Sequence, residues 1–214
     1  MMAATSATTG FPPPSFQIGV STHKRYADCF PDRTLAVIAR LHCEEVQAVM
    51  HAYQTSQPLH LQYRYAIVLA TATGSATDFT ITTIGDTTPS RSYANVRLLD
   101  HFLTINHRIA ALSERPKYVI LKTKEGIKNP KYAHLHAVRY DEVGCGFDED
   151  NCLSLYVTEL MGGERHTRAL YVERTEASVE EAEKDAEEVE KEFHGVEETV
   201  EAPSAEPLKV ERGT

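Results

Sequence analysis

Between residues 32 and 54, apolar side chains recur three and four positions apart through Leu35, Ile38, Leu41, Val46, Val49, Met50 and Tyr53. That spacing gathers them on one face of an α-helix, and Pro31-Asp32 just ahead supplies a start signal. After Gln57-Pro58 the period changes to two. Leu59, Leu61, Tyr63, Tyr65, Ile67 and Leu69 alternate with His60, Gln62, Arg64, Ala66 and Val68, which predicts a half-buried strand. A second strand is expected over 78–84, rich in threonine and isoleucine and closed by Gly85-Asp86.

Helical spacing returns over 94–112 through Val96, Leu99, Phe102, Leu103, Ile109 and Leu112, with Asn106-His107 as a candidate break. Four further strands are predicted over 117–122, 134–140, 152–160 and 167–173. The last two are joined by Met161-Gly162-Gly163-Glu164, whose paired glycines take the positive φ values a tight hairpin needs. A short edge strand is also expected over 15–20. Residues 1–14, Ser/Thr/Ala-rich and running into Phe11-Pro12-Pro13-Pro14, offer no apolar face and read as a disordered extension.

The order helix, strand, strand, helix, then four strands predicts an α+β domain over residues 15–175. Its curved, mainly antiparallel sheet of about six strands would carry two helices on one face. By element order alone, this layout is similar to the NTF2-like cone fold over about residues 32 to 174. That similarity implies a small-ligand or enzyme pocket, with Asp100, His101, His134 and His136 as its candidate polar groups.

The tail has its own pattern. Ser178-Val179-Glu180-Glu181 is a capping box, in which serine and glutamate each satisfy the other's backbone amide. Val179, Ala182, Ala186, Val189 and Phe193 then follow at alternating intervals of three and four, a heptad-like seam, and Gly195 offers a stop. The seam is short and built mostly of small residues. It predicts an acidic amphipathic helix over 176–195 that docks on a partner or on its own domain, with 196–214 disordered beyond it.

Charge sharpens this division. The 214-residue chain carries a formal −9, yet residues 176–214 hold 14 acidic and 4 basic side chains, leaving 17 against 18 in the rest. All the net charge is in the tail. Segment 108–139 is the counterpart, with eight cations against Glu114 and Glu125 and with Tyr118, Tyr132 and Tyr140 interleaved. Basic and aromatic side chains together suit single-stranded nucleic acid, and the same segment is a candidate intramolecular partner for the acidic helix.

At 42% hydrophobic residues the body has material for a packed core without disulfide or metal staples. The longest apolar run, Ala66-Ile67-Val68-Leu69-Ala70, is too short to cross a bilayer. Four cysteines, no secretory pattern at the first residues and no N-x-S/T sequon lead to the expectation of a soluble cytoplasmic or nuclear protein with reduced thiols.

Chemistry-bearing motifs are sparse. Phosphate loop, nucleophile elbow, zinc-protease helix, paired C-x-x-C and dinucleotide fingerprint are all absent, and no cofactor is expected. His134 and His136, two apart on a predicted strand, would face the same way and could share a metal; their ordinary reading is a pair of surface histidines. Asp100 and His101 are a candidate acid/base pair, although neighbours on a helix diverge by about 100°. The carboxylate-rich stretch 141–151 reads as a solvated loop, with Cys145 and Cys152 placed to approach each other across it. The function expected is a non-catalytic protein-interaction module acting through Val179, Ala182, Ala186, Val189 and Phe193. The alternatives are a small-ligand-binding or NTF2-like pocket enzyme, and a nucleic-acid binder regulated by its acidic tail.

Overall fold

A computed structural model describes residues 26–59, 61–74, 79–106, 117–120 and 142–198. The elements are α1 (Asp32–Thr55), β1 (Tyr63–Thr73), β2 (Thr80–Thr88), α2 (Arg91–Ile105), β3 (Lys117–Ile120), β4 (Glu142–Phe147), β5 (Leu153–Met161), β6 (Glu164–Glu176) and α3 (Val179–Glu198). The strands form one sheet in the order β2-β1-β6-β5-β4-β3. Every pairing is antiparallel except that of β3 with β4. The predicted strands over 15–20 and 134–140, and residues 1–14 and 199–214 of the terminal extensions, lie outside the described residues, while 196–198 are helical rather than disordered.

Period-two geometry sorts the core. Tyr65 and Ile67 of β1, Leu153, Leu155 and Val157 of β5, and Leu170 and Val172 of β6 point to one face. There they meet Leu35 and Ile38 of α1 and Leu98, Leu99 and Phe102 of α2. Phe30, ahead of α1, joins this core with its ring 6.0 Å from that of Phe102. Intervening side chains make a second cluster on the opposite face, from Val68, Ala70, Tyr156, Ala169 and Tyr171. The centre of β1 is therefore buried on both sides, not half-buried as its alternation predicts. Its uninterrupted run Ala66–Ala70 is the sequence mark of that two-sided burial.

Two hydrogen-bonded junctions hold the helices to the sheet and to each other. Ser90 caps α2, its Oγ accepting from the Tyr93 amide at 3.1 Å. Glu45 of α1 then fills the same helix start: its carboxylate accepts from the amides of Arg91 (3.0 Å) and Ser92 (3.1 Å) and from the hydroxyls of Ser90 (2.8 Å) and Ser92 (2.6 Å). A carboxylate from a neighbouring helix thus meets the positive end of the α2 dipole. Further along α2, the fully buried Asn95 donates to the Asn151 carbonyl (3.0 Å) and accepts from the Leu153 amide (2.9 Å), pinning the β4–β5 turn.

That turn is where sequence and structure differ most. The carboxylate-rich stretch read as a loop is a buried strand, β4, over its first half. Val143 and Cys145 enter the helix-covered core, while Gly144 and Gly146 sit opposite Tyr156 and Ser154. Glycines on one face and flanking acids disguise the alternation. The true loop is short: Asp148 accepts from the amides of Asp150 and Cys152, each at 2.9 Å, and Arg174 pairs with Asp150 at 2.8 Å. The β5–β6 hairpin follows the sequence reading, with Met161 paired to Glu164 and positive φ at Gly162 (62°) and Gly163 (87°).

Candidate functional site

The tail helix begins as its capping box dictates. Ser178 Oγ accepts from the Glu181 amide at 3.3 Å, and the Ser178 amide donates to Glu181 Oε2 at 3.0 Å. The Ser178 amide and the Ser178 hydroxyl, which donates to Oε2 at 2.9 Å, hold the Glu181 carboxyl below the usual range, with a smaller push from the Arg64 guanidinium in the same direction. The helix continues to Glu198, three residues past the expected stop at Gly195. A glycine inside a helix costs about 1 kcal/mol but does not by itself end it.

One cation latches α3 to the sheet. Arg64 sits on β1 amid apolar neighbours, on the face that bears Val68 and Ala70. Its Nε donates to Thr87 Oγ1 at 2.7 Å, and its Nη1 reaches Asp185 at 3.1–3.2 Å and Glu181 at 3.9 Å. The Asp185 side chain is 4% exposed and that of Arg64 17%. Burial pushes the Asp185 carboxyl above its ordinary range, and the Arg64 guanidinium opposes that shift without cancelling it. At the base of the helix, the Ala177 amide donates to the Gln62 carbonyl at 2.9 Å.

The latch leaves the apolar seam of α3 looking into a groove of about 1460 Å³. One wall is α3, through Val179, Ala182, Ala186 and Val189; the other is the last turns of α1, through Val49, Ala52 and Tyr53. Pro58, Leu59, Leu61 and Tyr63 of the connecting segment complete the apolar lining. The polar lining is Gln54, Ser56, Gln57 and Gln62 together with four glutamates, Glu176, Glu183, Glu187 and Glu190, of which Glu187 also pairs with Lys191 at 3.3 Å; no lysine, arginine or histidine is among the lining residues. Glu183, Glu187 and Glu190 lie four and three positions apart and so form a stripe along one side of α3. Tyr53 is 42% exposed and Val179 74%, so both walls reach solvent.

The structure brings Val179, Ala182, Ala186 and Val189 together along this wall, as their spacing requires. Phe193 lies on the same helix, but its side chain is outside the described residues. Sequence reasoning missed the opposite wall, because Val49 and Tyr53 belong to the same apolar stripe of α1 as its core residues and carry no local sign of facing α3. It also missed Arg64. The available signal was a lone arginine in an otherwise apolar strand.

The other candidates are scattered. Asp100 accepts the Tyr26 hydroxyl at 2.5 Å, and His101 is half-buried on the next position of α2; neither lines the groove. His134 and His136 lie outside the described residues, among which no group of three or more His, Cys, Asp or Glu side chains is placed to hold a metal. Cys145 and Cys152 are unbridged. Burial pushes their thiols up to about 11 and about 12 respectively, a setting for inert packing rather than nucleophilic chemistry. Within the basic segment, Lys117 pairs with the buried Glu142 at 2.6 Å and the Tyr118 hydroxyl donates to the Cys29 carbonyl at 2.6 Å; the other cations of 108–139 are outside the described residues. No described helix is long and apolar enough to cross a membrane.

Comparison with protein-family models, with curated proteins and with solved structures finds no match for this chain. The groove and its latch are therefore read from their own chemistry.

Proposed function

We propose that this protein is a non-catalytic interaction module whose groove between α1 and α3 receives a basic amphipathic helix from a partner protein. The observation that carries this reading is the joining of an apolar lining to acidic side chains of one sign. At about 1460 Å³ the groove exceeds the roughly 300–1,000 Å³ of ordinary small-molecule pockets. Its two helical walls, with Val49, Ala52 and Tyr53 on one and Val179, Ala182, Ala186 and Val189 on the other, suit a helix seated by anchors at i, i+3 or i+4, and i+7. Lysines or arginines beside those anchors would meet the Glu183, Glu187 and Glu190 stripe, which steers encounter and fixes orientation. Asp100, Cys145 and Cys152 are each absorbed by packing or hydrogen bonding, which leaves the groove as the one open feature with convergent chemistry among the described residues.

The test uses a fluorescein-labelled peptide of about 18 residues with leucine and lysine at helical spacing, and follows anisotropy against full-length protein. Binding in the micromolar range is expected. Ala186→Asp makes the protein more acidic yet obstructs the seam, so it weakens binding about tenfold, or ~1.4 kcal/mol. Tyr53→Ser, which leaves charge unchanged, does the same. Leu160→Ser at the distant β5–β6 tip leaves binding as it was. Unchanged or tighter binding by Ala186→Asp would mean that the peptide reads net charge alone, and the proposal would fail.

A further inference from the structure

The edge of the sheet formed by β2 lies apart from the groove. β2 is an edge of the sheet: it pairs with β1 on one side and has no strand on the other among the described residues. Residues Thr80 to Thr83 are exposed on both faces of the strand. Edge strands that stay monomeric carry lysines, prolines or inward charges as guards. None is present from Phe79 to Gly85. The only irregularity lies further on, where the register slips between the Ile67–Ile84 and Tyr65–Thr88 pairs, so the first half of the edge remains regular.

We infer that β2 pairs antiparallel with β2 of a second copy of this chain, about a two-fold axis at Ile81, to join two sheets edge to edge. Three observations select a second copy rather than a foreign strand. Ile81 is 60% exposed, the most exposed large apolar side chain on the sheet, and the axis places it against its own counterpart. Phe79 lies on the same face and already packs on the Val68–Ala70 cluster. Pairing therefore extends that core across the junction, with Phe79 opposite Thr83 and Thr80 opposite Thr82. No charge meets a like charge in this register, and threonine with β-branched or aromatic partners is favourable across strands. The axis also leaves α1 and α2 of both copies on one side of the joined sheet, so helices and edge do not compete for space. A junction this short buries less than a standard stable interface of roughly 1,600 Å², so the dimer is concentration-dependent.

Sedimentation velocity on the full chain over about a hundredfold range of concentration reads the equilibrium. A shift from monomer toward dimer is expected for wild type and for Ile81→Val. Ile81→Lys and Ile81→Glu each place like charges face to face and abolish the dimer at every concentration, while far-ultraviolet circular dichroism reports the same fold. Mixing the Lys and Glu variants restores a heterodimer, because the two-fold axis sets residue 81 against residue 81. Wild type that stays monomeric throughout overturns the inference, as does a dimer untouched by both charges or an absence of rescue on mixing.

Discussion

α2 and α3 are both attached to the same sheet, and they are attached in opposite ways. α2 is sealed in place. Leu98, Leu99 and Phe102 have no exposed surface, its first turn is filled by Glu45, and Asn95 ties it to the turn before β5. α3 is held to the sheet by Arg64, which pairs with Asp185 and Glu181. Its apolar seam faces an open groove, edged by Glu183, Glu187 and Glu190. The sealed junction has the redundancy of a structural element, since several independent contacts must fail before it opens. The latched one has the economy of a binding element, in which the surface that would complete a core is left for something else to cover.

Breaking the sealed side should cost most. Phe102→Ala empties a site at the centre of the helix–sheet core and is expected to lower global stability by about 3–5 kcal/mol, measured by urea unfolding. Glu45→Ala removes the acceptor for two backbone amides and two hydroxyls at the start of α2, for an expected loss of about 2–3 kcal/mol in the same measurement. Neither change touches the groove, so peptide affinity of the folded fraction stays as in wild type.

Breaking the latched side should act locally. Arg64→Met removes the guanidinium that pairs with the buried Asp185. Hydrogen exchange at the α3 amides is expected to speed up roughly tenfold, ~1.4 kcal/mol of local opening, with the urea midpoint of the body nearly unmoved. Loss of global stability comparable to that of Phe102→Ala would show that α3 is part of the core, and the contrast would collapse.

The smallest effect is that of pH. Asp185 has its carboxyl raised by burial, so its contribution to docking is fully present below the ordinary aspartate range and is lost as pH rises through the raised value. Glu181 is held low by its hydrogen bonds, and its contribution to the helix start is present above the ordinary glutamate range and lost only as pH falls through the lowered value. Docking of α3, followed by amide chemical shifts, should thus strengthen as pH falls through the raised Asp185 value and weaken as it falls through the lowered Glu181 value. Asp185→Asn is expected to flatten the first limb and leave the second.

Much of this architecture was legible in the sequence. Spacing placed α1 from Asp32 onward, the Gly162-Gly163 hairpin and the seam of α3, and the Ser178–Glu181 box was readable to the atom, because all of these are local patterns. β4 escaped because its alternation runs through Gly144 and Gly146, which carry no hydrophobic signal. The groove escaped for a different reason: its walls stand more than a hundred residues apart in the chain, and no local period reports that the end of α1 and Ala186 line one cavity. Arg64 was visible as an oddity in an apolar strand, but its partner, Asp185, lies in a segment that composition alone presents as uniformly solvated.

The most direct test of the docking groove is a chemical-shift map of the full chain titrated with the leucine–lysine peptide. The account predicts that the largest changes fall on both walls together, at Ala52 and Tyr53 of α1, at Leu61, and at Ala182, Ala186 and Val189 of α3. Changes confined to the outward glutamates of α3, with Tyr53 and Leu61 unmoved, would show a basic peptide lying on an acidic surface and would contradict it.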